Sequence, residues 1–309
     1  MKAIIVLSII ISCYILLTYL LFVLIFRRFD GFILNKAHKK IYKNADKYKD
    51  KFYEANAWLK DKEKKNLTEE VYIKSYDNLK LNGLLIKHKK HKGIMIIFHG
   101  YRSNATKNLF LSYYKYYEEG YSIILVNQRA SSKSEGKYIT FGIKERKDVI
   151  SWVNYVNNRF KGKDVILAGI SMGASSVLMS CKELEEKNNV KLIIADCGYV
   201  SAYDEIKYFY KKFSHLSGKV LIPIINFWCK LIGKFNLKDG NTIEALIGCN
   251  IPIIFIHGSS DTIVPTDNSI INYDVYNGKK DILIVDNANH GLSYFCDSED
   301  YLNEINNML

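Results

Sequence analysis

The sequence predicts an α/β protein built on a mostly parallel sheet and preceded by one transmembrane helix. Apolar runs of strand length recur after residue 70, and from the third run onward segments with helical spacing separate most of them. The first two runs are joined only by Tyr76-Asp77-Asn78, so we expect an antiparallel hairpin there. The amino end, residues 3–26, is almost uninterruptedly apolar. Together these features predict one α/β domain behind a hydrophobic anchor in a chain of 309 residues.

Each predicted element follows from its residue pattern. Runs rich in Ile, Val and Phe, bounded by turn residues, predict eight strands, at 71–75, 79–87, 93–98, 122–126, 165–168, 191–195, 252–256 and 281–285. Helical spacing predicts connecting helices at 106–119, 143–158, 172–187, 268–276 and 298–308. The connection at 198–247 is far longer than a crossover requires, and its two amphipathic segments predict a small helical cap over the strand ends.

Residues 1–28 are predicted to be a transmembrane anchor. The apolar run would form a helix about 36 Å long, enough to cross a hydrocarbon core of about 30 Å. A cleavable signal peptide would have a shorter apolar core and a cleavage site, whereas this run continues into Arg27 and Arg28. More basic residues follow the run than precede it, which favours a cytoplasmic catalytic domain; the extracytoplasmic side is the alternative.

Residues 29–66 are predicted to be a basic juxtamembrane helix, ahead of the folded domain at 67–309. Its apolar face is marked by residues at four-three spacing: Ile41, Ala45, Tyr48, Phe52, Ala55 and Leu59. Two roles are open for this face. It could lie on anionic lipid headgroups, or it could pack as a stalk against the folded domain.

Charge and cysteine content exclude several classes of function. The net charge of +12 comes mainly from lysine, and no basic-aromatic stripe or known nucleic-acid motif accompanies it, so we expect no nucleic-acid partner. The sequence has no Gly-rich phosphate loop. Its six cysteines show no CxxC or metal-ligand spacing, so reduced thiols and no metal or organic cofactor are expected.

The segment Gly169-Ile170-Ser171-Met172-Gly173 predicts the catalytic nucleophile. It follows an apolar strand and precedes a segment with helical spacing, which is the context of a nucleophile elbow. In such a turn the serine has a strained backbone, and the residues two before and two after it must be very small. Both are glycine here, so we assign Ser171 as the nucleophile.

An activated serine needs a histidine to accept its proton and a carboxylate to orient that histidine. Asp261 follows the predicted strand at 252–256, and His290 follows the strand at 281–285. Parallel strands would bring both residues to the sheet edge that carries Ser171. Asp196 ends another strand and is a rival carboxylate, but the chain order Ser171, Asp261, His290 favours Asp261.

The segments GISMG, HGSSDTIVP and NANHG together resemble the nucleophile, acid and base segments of the α/β-hydrolase family. The resemblance covers roughly residues 70–305. Within that family the chain is similar to bacterial membrane-anchored members and to the serine aminopeptidase and monoacylglycerol-lipase-like group. His99-Gly100-Tyr101 resembles the family's oxyanion loop, which implies that the backbone N–H groups of Tyr101 and Met172 form the oxyanion hole.

One loop departs from the family's pattern. Relatives usually carry Asp-x-Arg-x-x-Gly-x-Ser-x-Gly after the fourth strand, and here Asn127 and Ser132 replace the first Asp and Gly. Arg129, Ser134 and Gly136 fit the pattern. The loop does no chemistry in the family, so we expect the departure to affect substrate shape and local stability.

The predicted function is a membrane-anchored serine hydrolase that cleaves an ester or thioester with an apolar acyl group through an acyl-enzyme intermediate. The expected substrate is a small or lipid-like molecule, since an apolar cap beside a bilayer would suit acyl chains. A serine aminopeptidase or amidase is the alternative within enzymes, because one triad serves esters and amides. A non-catalytic membrane adaptor with a hydrolase fold is the alternative from another class.

Overall fold

The computed structural model describes residues 1–29, 47–107, 112–184, 189–213 and 218–309. Within them lies one eight-stranded sheet in the order β1-β2-β4-β3-β5-β6-β7-β8. The β1–β2 and β2–β4 pairs are antiparallel and the others are parallel. The predicted fold class is confirmed, and each strand end lies within three residues of its predicted position. The strands are β1 Thr68–Lys74, β2 Lys80–Ile86, β3 Gly93–Phe98, β4 Ser122–Val126, β5 Asp164–Ile170, β6 Val190–Asp196, β7 Ile253–Gly258 and β8 Lys280–Val285.

Helices cover both faces of the sheet. In the described residues they are α1 Lys2–Phe26, α2 Lys49–Lys64, α3 Tyr113–Glu118, α4 Glu145–Arg159, α5 Met172–Ser180, α6 Ala202–Phe213, α7 Gly218–Trp228, α8 Thr242–Leu246, α9 Asp267–Val275, α10 Ser293–Cys296 and α11 Ser298–Met308. Because the central strands are buried on both faces, two apolar clusters form. One contains α2, α3, α10 and α11, and the other contains α4, α5, α8 and α9.

Two predicted helices are shorter than expected. The helix after the elbow ends at Ser180 and gives way to the 3₁₀ turn Cys181–Glu183, although the pattern predicted a helix to residue 187. The Ser180 hydroxyl donates to the Val177 carbonyl, a local bond that competes with helix propagation. The helix predicted at 106–119 is a 3₁₀ turn, Ala105–Lys107, followed by α3. Residues 108–111 and 185–188 of these predictions lie outside the described part.

Helix α2 packs its apolar face against the α/β domain. Ala55 and Leu59 are buried in the cluster around α3, and the Phe52 ring lies 4.7 Å from the Phe295 ring, centroid to centroid. Over Lys49–Lys64 the apolar face therefore packs on the folded domain. Ile41 and Ala45 of the predicted juxtamembrane helix lie outside the described residues.

The long connection after β6 forms a helical cap, as predicted. It contains α6, α7, a wide turn at Cys229–Gly233, and α8. Residues 214–217 of the cap are outside the description. Helix α7 lies against α1, the apolar helix at the amino end.

Helix α1 has two different halves. Residues 3–17 have exposed side chains, apart from half-buried Tyr14. Thr18, Phe22 and Phe26 recur at four-residue spacing and are completely buried against the cap and the loop at residues 138–141. Among the described helices, α1 alone is long and apolar enough to cross a membrane.

Candidate active site

Ser171 occupies a strained turn between β5 and α5. Its backbone has φ 55° and ψ −121°, a conformation that residues other than glycine rarely adopt. The flanking glycines are a steric necessity. A Cβ at Gly169 would lie 2.5 Å from the backbone of Gly173, and one at Gly173 would lie 2.1 Å from the Phe98 carbonyl oxygen. The sequence thus folds locally into a turn that holds the serine hydroxyl beyond the carboxyl end of the central strand.

The three predicted triad residues form one hydrogen-bonded chain. His290 Nε2 lies 2.9 Å from Ser171 Oγ, and His290 Nδ1 lies 2.6 Å from Asp261 Oδ2. Because Nδ1 faces a carboxylate, it carries the proton and donates to Asp261. Nε2 is then the acceptor that faces the serine hydroxyl, which is the arrangement required for general-base catalysis.

The electrostatics of this chain suit a base. Burial disfavours the charged imidazole, but the charge and hydrogen bond of Asp261 outweigh it and raise the pKa of His290 above its ordinary value. Burial also opposes ionisation of Asp261. The charge of His290 and the hydrogen bonds from His257 and His290 nevertheless lower the pKa of Asp261 well below its usual range. The carboxylate therefore stays ionised while the histidine gains basicity.

A second histidine, His257, holds Asp261 in place. Its buried ring donates from Nε2 to Asp261 Oδ2 at 3.2 Å and to the Val264 carbonyl at 3.0 Å, while Nδ1 accepts from Ser269 Oγ at 2.7 Å. The other carboxylate oxygen, Oδ1, accepts the backbone N–H groups of residues 263 and 264. This contact of His257 with Asp261 could not be read from the sequence. The available signal was its spacing of four residues from Asp261 at a strand end.

The rival carboxylate, Asp196, does not bond to His290. It accepts hydrogen bonds from Tyr301 Oη at 3.1 Å and Ser293 Oγ at 3.4 Å. Burial raises its pKa to about 6, against the opposing influence of His257. The geometry thus favours Asp261 as the orienting acid, as chain order predicts.

The predicted oxyanion loop lies directly against the serine. A Cβ at Gly100 would lie 3.4 Å from Ser171 Cβ, which is van der Waals contact, so the loop lies close to the serine. In the part of the chain that the structure describes, neither the Tyr101 nor the Met172 amide donates to a protein acceptor. Both N–H groups are therefore available to an oxyanion at the elbow.

His99 has a structural role in this loop. Its Nε2 accepts from the Gln128 amide at 3.1 Å, and Nδ1 donates to the Gly100 carbonyl at 2.7 Å. Burial lowers the pKa of His99 to about 4, so the ring stays neutral at physiological pH. The bond to Gly100 fixes the loop beside Ser171.

The oxyanion loop is also bonded to the end of α1. Tyr101 Oη donates to the Ile25 carbonyl at 2.6 Å, and the Arg102 guanidinium donates to the Leu24 carbonyl. These are carbonyls of the last helical turn, which have no partner within the helix itself. The loop therefore satisfies the carboxyl end of the apolar helix, and the helix in turn restrains the loop.

The loop at 127–136, whose sequence departs from the family's pattern, is held by a buried polar network. Asn127 Oδ1 accepts from the Ala105 amide at 2.9 Å, and its Nδ2 donates to Asn82 Oδ1 at 2.6 Å. Arg129 is buried and forms a bidentate pair with Asp148 at 2.6 and 2.7 Å, with Asp77 on its other side. Asn127 thus stabilises the loop with neutral hydrogen bonds where relatives carry an aspartate.

Glu205 of the cap is a buried carboxylate near the triad that sequence reasoning missed. It is 8% exposed, and in the described part of the chain its side chain has no hydrogen-bond or ion-pair partner. Burial raises its pKa to about 8, and it interacts electrostatically with His290 and Asp261. A carboxyl group in this position can receive a cationic or hydrogen-bond-donating part of a substrate.

One group of possible metal ligands occurs at the site, formed by Cys197, Asp261 and His290 within 4.8 Å of one another. Burial raises the pKa of the Cys197 thiol well above its usual value, so the sulfur stays protonated. The other two members already bond to each other. The donor set therefore suits the triad better than a metal ion.

Comparison with known proteins identifies the family. The model of the X-Pro dipeptidyl-peptidase (S15) family matches residues 38–221, more than half of the chain. This match includes Tyr101 and Ser171 and ends before Asp261. The Bacillus subtilis protein YqkD is 25% identical over 201 residues. The chain spans about 65% of the length of that curated relative, and the match covers 65% of this chain.

Solved structures agree on the fold. An esterase from Pyrococcus furiosus superposes with a TM-score of 0.62 at 22% identity, covering 78% of this chain and 90% of the esterase. An acylaminoacyl peptidase from Pyrococcus horikoshii gives a TM-score of 0.54 at 16% identity, covering 74% of this chain and 38% of the peptidase. The predicted resemblance is confirmed, and family and fold both support a serine hydrolase. The chain belongs to the X-Pro dipeptidyl-peptidase (S15) family and has the α/β-hydrolase fold.

Proposed function

We propose that this chain is a membrane-anchored serine hydrolase that cleaves an ester or thioester with an apolar acyl group. The observation that carries the proposal is the hydrogen-bonded chain from Ser171 through His290 to Asp261. The backbone N–H groups of Tyr101 and Met172, which have no protein acceptor among the described residues, support it. A turn strained at Ser171 and two glycines without room for a side chain support the same role.

The proposed mechanism has two steps. His290 Nε2 accepts the proton of Ser171 Oγ as the oxygen attacks the substrate carbonyl, and the Tyr101 and Met172 amides bind the resulting oxyanion. His290 then gives the proton to the leaving group, which leaves an acyl-serine. Water attacks the acyl-serine with His290 again as base, and Ser171 is regenerated. Asp261 keeps the imidazole oriented and stabilises its charged form.

The apolar surroundings of the elbow support an apolar acyl group. Met172 lies in one buried cluster with Phe141, Val264 and Ile222 of the cap. A cluster of this composition beside the nucleophile favours hydrocarbon over charged substituents.

The proposal for the anchor is supported by α1, whose length and composition suit a bilayer. The basic residues after α1 favour a cytoplasmic catalytic domain.

The test is hydrolysis of p-nitrophenyl esters from acetate to palmitate by the full chain in detergent. We expect turnover with a maximum at one acyl length, and its loss by about 10⁴-fold or more in Ser171→Ala. A neighbouring serine outside the triad, Ser176, supplies the control, and Ser176→Ala should retain turnover. Equal rates for the wild type and Ser171→Ala would contradict the proposal.

A dipeptidyl-peptidase is the second candidate, favoured by the family match and by Glu205. The ammonium group of a free peptide amino terminus could pair with this buried carboxylate. An X-Pro-p-nitroanilide would then be cleaved, and Glu205→Gln would lower that activity much more than ester hydrolysis. Equal effects of Glu205→Gln on both substrates would exclude amine recognition by Glu205.

A further inference from the structure

The exposed part of α1 is too short to cross a bilayer alone. Residues 3–17 correspond to about 22 Å of helix, whereas the hydrocarbon core is about 30 Å thick. About five more residues are needed, and the next five include Thr18 and Phe22, which are buried against the cap. If α1 spans the membrane, the adjoining part of the cap must lie at the membrane surface.

Trp228, at the end of α7, belongs to the part of the cap that would lie at the membrane surface. Its Nε1 donates to Thr18 Oγ1 at 3.1 Å, and its ring meets the Tyr19 ring edge-on at 5.5 Å. Tryptophan and tyrosine are the residues that accumulate at the boundary between headgroups and acyl chains. Trp228 and Tyr19 therefore suit the headgroup–acyl boundary, which is where the length of α1 would place them.

The neighbouring surface of the cap is apolar and exposed. Pro223, Phe227 and Leu231 follow one another at four-residue spacing, and Phe227 and Leu231 are 54% and 49% exposed. Lys230 and Lys234 are exposed on the same segment. An apolar face with lysines beside it suits acyl chains below anionic headgroups. We call Pro223, Phe227 and Leu231 the cap surface.

We infer that the cap surface lies in the headgroup–acyl boundary of a phospholipid bilayer, beside α1. A consequence, which rests on the proposed function, is that the preferred substrate is an ester lodged in the membrane. The buried cluster that contains Phe22 and Ile222 also contains Met172 of the elbow, so apolar residues connect the cap surface to the nucleophile.

The direct test is tryptophan fluorescence of the full chain in phosphatidylcholine–phosphatidylglycerol vesicles whose acyl chains are dibrominated. The other two tryptophans are Trp152, which is completely buried in the core, and Trp58, which packs on α3. We expect brominated lipid to quench the wild type and to have almost no effect on Trp228→Phe. Equal quenching of both proteins, no quenching, or failure of the chain to float with vesicles would overturn the inference.

A second test compares substrates. Phe227→Asp should lower hydrolysis of a vesicle-embedded long-chain ester roughly tenfold and leave p-nitrophenyl acetate hydrolysis in detergent unchanged. Ile247→Asp is the matched control, since Ile247 is 70% exposed and follows α8, outside the cap surface, and both activities should persist. An unchanged vesicle activity in Phe227→Asp would contradict the inference. Absence of all ester hydrolysis in the wild type would instead contradict the proposed function. The quenching experiment would still test the position of the cap surface, because it does not depend on activity.

Discussion

The two sides of the candidate active site are held by different kinds of structure. Ser171, Asp261 and His290 stand on turns and loops at the carboxyl ends of β5, β7 and β8, and they are held by hydrogen bonds between these loops and within the Asp261 turn. The opposite side contains the oxyanion loop and the cap, which also bond to or pack against the end of α1. Tyr101 donates to a carbonyl of that helix, and Phe26 packs against Phe141 and Phe235.

The residues that carry out the proposed reaction are therefore held separately from the loop and the cap that surround the substrate. The sheet side needs only the folded α/β domain, because no atom of α1 bonds to the described triad residues. The helix side depends on a segment at the far end of the chain. Changes on the sheet side should therefore abolish the reaction, whereas changes on the helix side should alter its rate and its preference among substrates.

The largest effect is expected for His290→Ala on the sheet side. Loss of the general base should lower kcat for p-nitrophenyl esters by about 10⁴- to 10⁶-fold, because the members of a triad act as a unit. The thermal unfolding midpoint should change little. Asn289→Ala, one residue away, should keep nearly normal turnover. Normal turnover in His290→Ala would show that another group is the base.

A smaller effect is expected for Tyr101→Phe on the helix side. This change keeps the backbone N–H of the oxyanion loop but removes the bond to Ile25, which is worth about 1 kcal/mol. We expect kcat to fall roughly fivefold with little change in KM. Tyr203→Phe in the cap is the control and should retain kcat. A Tyr101→Phe protein with reduced stability but unchanged kcat would show that α1 does not position the loop.

The smallest effect concerns pH. His290 must be neutral to accept the proton, so kcat/KM should fall as pH falls through its pKa. Asp261 raises that pKa, so the midpoint of the acid limb should lie above about 6.5. The same midpoint is expected in Tyr101→Phe, since His290 and Asp261 both belong to the sheet side, which this substitution does not change. A midpoint clearly below 6.5 in the wild type would contradict the His290–Asp261 geometry.

The sequence predicts the sheet side well because its signals are local. Glycines around Ser171 and strand-end positions of Asp261 and His290 can be recognised without knowing distant contacts. His257 was missed because its role depends on ring orientation, which is set by Ser269 and Val264. A histidine at a strand end has many structural uses, so its type alone does not indicate a function.

The helix side could not be predicted in the same way. Thr18, Phe22 and Phe26 stand in a run that is apolar on every face, so nothing in its periodicity separates a lipid-facing residue from one packed against the cap. The spacing of four between these residues is visible only in retrospect. Glu205 was missed for a related reason, since only the tertiary fold buries that side chain beside the triad.

The most direct measurement is labelling of the folded full chain with a fluorophosphonate, followed by peptide mapping of the modified residue. The proposed mechanism predicts one adduct, on Ser171, which forms slowly or not at all in His290→Ala and is absent in Ser171→Ala. Absence of label on well-folded wild-type protein, or an adduct on another serine, would contradict the assignment of the nucleophile and favour a non-catalytic adaptor.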